Sequence, residues 1–268
     1  MAAVQEAVQM AQKEKMAKMQ WRVILDKENT AFHNMATDEA IMRLFPENKM
    51  PTVRLYAWKP CAVSIGYFQS LLEEVDVSQC EKQGVDVVRR ITGGGAVFHE
   101  HELTYSIALP EKGVVSQNIL ESYAKICNAV VLGLAGLGLN CQFVPLNDIA
   151  VNGKKVSGNA QTRRNGVILQ HGTVLLKVDV EKMFSLLKVP NEKLKGKLIE
   201  DVKQRVTSVE IESGRSVSFA ECRKAMRKGF AENFGVGLEE GGLLENEKSL
   251  AEKIAKEKFL GKDWNYKR

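Results

Sequence analysis

Two periods divide the chain. Short stretches rich in β-branched and aromatic residues recur at 21–25, 53–58, 62–67, 85–88, 103–109, 149–151, 154–157 and 166–176, and these predict strands. Lys59-Pro60 and Asn152-Gly153 mark turns between neighbouring strands, the second being a strong hairpin signal. Apolar residues fall at helical spacing elsewhere. Ile119, Tyr123, Ile126, Cys127, Val130, Val131 and Leu134 predict a helix over 118–134, ended by Gly136 and Gly138. An earlier helix is predicted from an Asn34 N-cap through Phe45, with Ile41, Leu44 and Phe45 on one face and Pro46 closing it. Beyond Asp179 the pattern is helical and charged, and residues 235–243 read as linker-like. Val4, Val8, Met10, Met16 and Met19 give residues 1–20 a loosely amphipathic pattern, which fits a helical extension or a disordered one. Strands alternating with segregated helices predict an α+β fold with a mixed, mainly antiparallel sheet. The domain is expected over 21–235, with 236–268 a tail packing on it and no accessory domain.

Composition narrows the function classes. A chain of 268 residues can bury a large core, and its net charge of +5 comes from 38 basic and 33 acidic residues spread along it. No block of like charge suggests nucleic-acid binding. No apolar run approaches the roughly 18–20 residues of a membrane span. The five cysteines (Cys61, Cys80, Cys127, Cys141, Cys222) are scattered without a Cys-x-x-Cys pair, as expected of reduced thiols in a cytoplasmic protein.

The most distinctive chemistry is the run Arg89-Arg90-Ile91-Thr92-Gly93-Gly94-Gly95-Ala96-Val97-Phe98-His99. Glycines let the main chain approach an anion closely, and arginine supplies a permanent planar charge. A Walker loop requires Lys-Ser or Lys-Thr after its last glycine, but Ala96-Val97 follows; a dinucleotide loop requires a glycine where Phe98 stands. Strand patterns on both sides predict a strand–loop–strand unit, either an anion cradle or a plain glycine hairpin.

A second cluster is Asn147-Asp148 followed by the stretch from Gly153 to Ala160. On a strand Lys154 and Lys155 face opposite ways, so one can enter a site while the other is solvated. Asp148 is a candidate Mg²⁺ ligand through water. A third is Gln170-His171-Gly172-Thr173, a polar pair in an apolar strand that needs hydrogen-bond partners or a ligand. His99 and His101 lie beside the glycine loop without a serine or cysteine at a recognised triad spacing.

These motifs, taken in order with Lys155-Val156-Ser157-Gly158, resemble those of lipoate–protein ligases, which share a superfamily with biotin ligases and octanoyltransferases. The resemblance covers roughly 21–187 and continues more weakly to Trp264-Asn265. It implies ATP- and Mg²⁺-dependent activation of lipoate or octanoate as an acyl-adenylate, then transfer to a lysine of a lipoyl-domain acceptor (a glycine-cleavage H-type or 2-oxoacid dehydrogenase E2-type protein). By the same resemblance Arg89, Gly93, Gly94, Gly95, Ala96, Val97, Asn147 and Asp148 would hold ATP, and Asp148 the metal. Lys155 would be catalytic, contacting both carboxylate and α-phosphate. Arg90, His99, Gly158, Ala160, His171 and Gly172 would join Lys155 around the lipoyl chain. The length resembles two-part ligases, which implies a separate small accessory subunit.

Octanoyl transfer from an acyl-carrier protein is the alternative. Cysteine-dependent octanoyltransferases resembling this chain place the nucleophile two residues before the aspartate, where Leu146 stands, and Cys141 lies seven residues before it. A thioester route through Cys141 is therefore disfavoured. A non-catalytic lipoate-binding or lipoyl-domain-binding subunit is a third reading, opposed by the joint presence of Arg89, the glycine run and Lys155.

Overall fold

The structure is a computed structural model that describes residues 21–189 and 194–268. Its strands are β1 (Trp21–Asn29), β2 (Thr52–Trp58), β3 (Ala62–Ile65), β4 (Asp86–Arg89), β5 (Val97–His99), β6 (Glu102–Pro110), β7 (Cys141–Val144), β8 (Asp148–Val151), β9 (Lys154–Arg164), β10 (Val167–Leu175) and β11 (Leu238–Glu240). Eight form one sheet in the order β11-β1-β2-β6-β10-β9-β8-β7, and three form a second in the order β4-β3-β5. The β11–β1, β1–β2 and β3–β4 pairs are parallel and the remaining pairs antiparallel, so the fold is α+β with mixed, mainly antiparallel sheets.

Each face of the large sheet is covered by helices. Ile119–Ala135 and Phe219–Phe234 pack on one face, where Val130, Met226 and Phe230 are fully buried against β6 and β10. The two helices touch at glycines: a Cβ on Gly229 would stand 2.3 Å from the Ala129 carbonyl oxygen and 2.5 Å from the Gly133 nitrogen. Ala31–Asn48 covers the other face, joined by Glu245–Ile254. The small sheet has its own core of Val63, Ile65, Leu71, Val75, Cys80, Val85 and Leu186.

Several boundaries differ from those the sequence pattern predicts. The first long helix begins at Ala31 on a Thr30 N-cap, not at Asn34. Asn34 is fully buried, and its amide donates to the carbonyls of Asn29 and Ala57, tying the helix to β1 and β2. Pro46 lies in that helix's last turns, which run on to Asn48 and end at Lys49 in the left-handed region. Residues 235–243 contain β11, which extends the large sheet beside β1. The hairpin at Asn152-Gly153 is as expected, with φ of 50° and 76°. The pattern assigned to residues 1–20 lies outside the described residues.

Pleating and register place a polar row in the middle of an otherwise apolar sheet face. Arg54 of β2 pairs with Ser106 of β6, and Ser106 with His171 of β10. Their side chains converge on Asp38 of the covering helix: Arg54 Nη1 donates to its Oδ1 at 3.0 Å, Ser106 Oγ at 2.7 Å, and the Tyr56 hydroxyl reaches Oδ2 at 3.0 Å. Burying a carboxylate is costly unless it is paired and hydrogen-bonded, and here all those partners are present.

Candidate active site

Between the large sheet and the small one lies a cavity of about 290 Å³, near the lower limit for small-molecule sites. Its floor is the face of β6, β9 and β10 beside the polar row. Its lid is the small sheet with the loop from Thr92 to Ala96. That loop links β4 to β5 across β3, a strand–loop–strand unit, as the flanking patterns predict.

Alternation separates the two arginines. Arg89 pairs in register with Ile65 and faces away from the cavity. Its Nε donates to the Trp264 carbonyl at 3.0 Å and its Nη2 to the Asn265 carbonyl at 2.9 Å. Its Nη1 reaches the carbonyls of Gly66, Tyr67 and Gln69 at 3.2, 3.1 and 2.5 Å. Arg89 is fully buried and its guanidinium is consumed by main-chain oxygens, which corrects its assignment to a nucleotide. Arg90 lines the cavity instead. Its Nη2 donates to the carbonyls of Gly93 and Gly95, both at 2.8 Å, and its Nη1 to the Ser64 carbonyl at 3.1 Å. Arg90 thus shapes the glycine loop, and burial pushes its pKa down to about 10.

Two glycines permit this packing. Gly94 has φ of 97°, a conformation that L side chains rarely adopt. A Cβ on Gly66 would lie 2.0 Å from the Gly94 carbonyl oxygen. Gly94, Gly95, Ala96 and Val97 line the cavity, while Gly93 serves the loop's shape through its carbonyl.

The opposite wall carries Asn147, Lys155, Gly158 and Ala160. Lys155 enters the cavity and Lys154 does not, as alternation requires. Lys155 Nζ is held by Asp148 Oδ1 at 2.7 Å, and Gly158 leaves room for it, because a Cβ there would stand 2.8 Å from Nζ. Asp148 therefore serves as the partner of Lys155. It is a lone carboxylate with a cation already on it, and no cluster of three or more metal-ligating side chains exists among the described residues. This donor set does not fit a dedicated Mg²⁺ site.

The pair Gln170-His171 divides between the two sheet faces. Gln170 donates to the Tyr105 hydroxyl at 2.7 Å, and that hydroxyl donates to Asn159 Oδ1 at 2.6 Å. Gly172 makes space for this link, since a Cβ would fall 2.0 Å from Asn159 Oδ1. His171 lines the cavity, with Nε2 2.7 Å from Thr92 Oγ1 and Nδ1 3.6 Å from Asp38 Oδ2. Burial lowers the His171 pKa, outweighing the hydrogen bond and charge of Asp38, and Arg90 lowers it further. For Asp38, burial opposes ionisation, but the hydrogen bond from His171 and the charge of Arg54 hold its pKa below the ordinary value.

The His171 shift has a consequence for stability. Its pKa is about 6.5 when unfolded and lower when folded, so the unfolded chain takes up the proton first as pH falls. The unfolding free energy is expected to drop below about pH 6.5, with a limiting slope of about 1.4 kcal/mol per pH unit from this residue. Urea unfolding on either side of that pH measures it, and a His171→Gln variant should show a flatter dependence. Stability that rises on acidification through this range would refute the buried neutral histidine.

Sequence reasoning missed Ser64 and Glu102, both of which line the cavity. Ser64 Oγ is 2.7 Å from His99 Nε2, and Glu102 Oε1 is 2.7 Å from His99 Nδ1. The usable signal was a polar residue in the apolar run around β3. Cys141 is displaced from the site. It pairs with Val151, on the sheet face opposite that of Lys155, and burial pushes its thiol up to about 11, with Glu212 adding to the rise. Among the described residues no cysteine lines the cavity.

The nature of this site agrees with comparison to known proteins. The family model of the lipoyl protein ligase A/B catalytic domain matches residues 30–231, and the chain belongs to that family. It is an enzyme of the superfamily that unites lipoate ligases and octanoyltransferases. The octanoyltransferase LipM of Brevibacillus brevis is 37% identical, with 93% of this chain and 99% of the relative covered. The Clostridioides difficile LipM is 38% identical over 93% and 99% of the two chains, and the Bacillus subtilis LipM 33% identical over 94% and 100%. The bi-partite lipoate protein ligase of Thermoplasma acidophilum superposes with a TM-score of 0.86 at 33% identity, covering 92% of this chain and 96% of that one. A lipoate-protein ligase A solved with ATP gives 0.80 at 31% identity, covering 92% and 99%.

These relatives overturn one expectation. The motifs suggest an ATP-dependent, adenylate-forming ligase, yet full-length curated relatives at 33–38% identity are octanoyltransferases. No helix among the described residues is long and apolar enough to cross a membrane.

Proposed function

We propose that this protein is an octanoyltransferase that moves an octanoyl group from the thioester of an acyl-carrier protein to a lysine of a lipoyl-domain acceptor, of the H-type or E2-type. The observation that carries the reading is a single cavity joining Lys155, the glycine-loop main chain and apolar walls from Met35, Phe98 and Leu175. Full-length similarity to octanoyltransferases supports it.

A thioester is already activated, so its attack by an amine gives an amide and a thiol without a nucleotide. The barrier lies in the charge that develops on the carbonyl oxygen. Lys155, set at the cavity wall by Asp148, supplies a point cation for that oxyanion. The apolar walls accept the hydrocarbon tail, and the His171–Asp38–Arg54 row fixes the floor on which the reacting end rests.

The purified chain, given octanoyl-carrier protein and a lipoyl domain without nucleotide, should produce acceptor carrying one octanoyl group on its target lysine by mass spectrometry. Strict dependence of that transfer on ATP would refute the proposal.

A further inference from the structure

On the outer side of the glycine loop three aromatic rings meet three cations. Tyr67 and Phe68 stand edge to face with centroids 4.9 Å apart, and the Trp264 ring lies 5.8 Å from Tyr67. Phe68 is 69% exposed. Lys267 Nζ sits 3.7 Å from the centre of the Tyr67 ring and 4.0 Å from that of Trp264. The Arg164 guanidinium lies 5.4 Å from the Tyr67 centre, and that of Arg268 lies 5.3 Å from the Phe68 centre. Ring faces attract cations, but cations gathered on neighbouring rings also repel one another. None of the three pairs with a carboxylate of another described residue. Lys258 also stacks on Trp264, at 3.8 Å, but its charge is met by Glu39 at 2.6 Å.

The patch is mounted on the loop that closes the cavity. The buried Arg89 guanidinium donates to the carbonyls of Gly66, Tyr67 and Gln69 on one side and of Trp264 and Asn265 on the other, so one side chain fixes the main chain beneath the rings. Trp264 Nε1 returns a bond to the Arg89 carbonyl at 2.7 Å. The Tyr67 N–H donates to the Thr92 carbonyl at 2.8 Å, and Arg164 Nη2 to that of Ile91 at 3.4 Å. Tyr67, Phe68, Arg164, Trp264, Lys267 and Arg268 are all absent from the cavity lining.

An exposed apolar ring among cations that lack counter-charges is complementary to an acidic protein surface. Reach selects between the two proteins the reaction needs. A protein seated here is separated from the cavity by the loop, which a four-carbon lysine stem is poorly suited to cross. An acyl group on a carrier's long flexible arm can pass over Gly94 and Gly95, which are exposed at the rim. We propose that this face docks the carrier protein that delivers the octanoyl thioester, through an acidic surface of that protein. The inference rests on the octanoyltransferase reading and deepens it by naming where the donor sits.

The experiment measures binding of fluorescently labelled octanoyl-carrier protein to the full chain by anisotropy, beside steady-state transfer to a lipoyl domain. Arg164→Glu, Lys267→Glu and Arg268→Glu combined should raise Kd and KM for the carrier by about 10–100-fold, with kcat and the KM for the lipoyl domain unchanged. Each reversal alone should give part of that effect, which keeps the test open if the triple variant fails to fold. Added salt should weaken the unmodified pair and change the triple variant little. Phe68→Ala should also raise Kd, while keeping the salt dependence. Lys228→Glu, an exposed position on the helix Phe219–Phe234, should bind as the unmodified chain does. Unaltered carrier binding in the charge-reversed variants would overturn the proposal. So would a loss confined to the lipoyl domain, which would make this the acceptor's face. Either result leaves octanoyl transfer by the unmodified chain standing. Failure of the unmodified chain to transfer octanoate from the carrier thioester would remove the underlying reading, and this inference with it.

Discussion

Replacing Lys155 with alanine should lower kcat/KM for octanoyl transfer by about 10²–10³-fold, the typical effect of removing one preorganised group that stabilises an oxyanion. The fold should be nearly untouched. The Lys155 side chain is 40% exposed and its ion pair with Asp148, itself 35% exposed, is of the kind worth about 0–1 kcal/mol. The variant therefore separates chemistry from stability: the urea midpoint should stay within error while the rate collapses. Lys154→Ala is the natural control, because alternation turns that side chain away from the cavity. Full activity in Lys155→Ala would refute the assignment, and equal losses in both variants would point to general charge in place of a positioned cation.

The second large effect should come from one methyl group. In Gly66→Ala the new Cβ would lie 2.0 Å from the Gly94 carbonyl oxygen and 3.0 Å from its carbon. The obstacle is backbone, so it cannot rotate away as a side chain would. Overpacking of this sort costs about 1–3 kcal/mol. The functional loss should be larger in proportion, because relief comes by moving the loop that Arg90 holds through the carbonyls of Gly93 and Gly95. A displacement of about 1 Å at a reacting centre can cost about 10²-fold in rate. Kinetics and urea unfolding of the same sample test both parts. A variant with native stability and native rate would show that the loop's close approach to Gly66 is dispensable.

Part of this site was legible in the sequence because alternation is a local rule. It separated Arg89 from Arg90 and Lys154 from Lys155, and it placed the glycine run between two strands. It could not say which arginine faced inward. That choice is settled by Trp264 and Asn265, whose carbonyls accept from Arg89 across 175 and 176 positions of sequence. Ser64 was hidden for a similar reason. Nothing at Ser64 signals His99 until β3 and β5 pair and bring them together diagonally.

Other misses have local causes. Asn34 has the chemistry of an N-cap, but its amide is claimed by carbonyls of β1 and β2, so Thr30 caps the helix. The short strand β7, with Gln142 and Val144 exposed, offers too few apolar positions to register as a strand. The activity itself was the hardest to read, because the motifs resemble those of ligases while the full-length curated relatives are octanoyltransferases. The full-length octanoyltransferase relatives are what favour the acyltransferase here.

The most direct test of the central claim is a competition in one tube. Isotopically labelled octanoyl-carrier protein and unlabelled free octanoate with ATP and Mg²⁺ are offered together to the enzyme and a lipoyl domain, and the acceptor's mass shows which donor supplied its acyl group. Acyl transfer from the carrier thioester predicts that the labelled form dominates and persists when ATP is omitted. Acceptor carrying mainly the unlabelled group, and only when ATP is present, would contradict it.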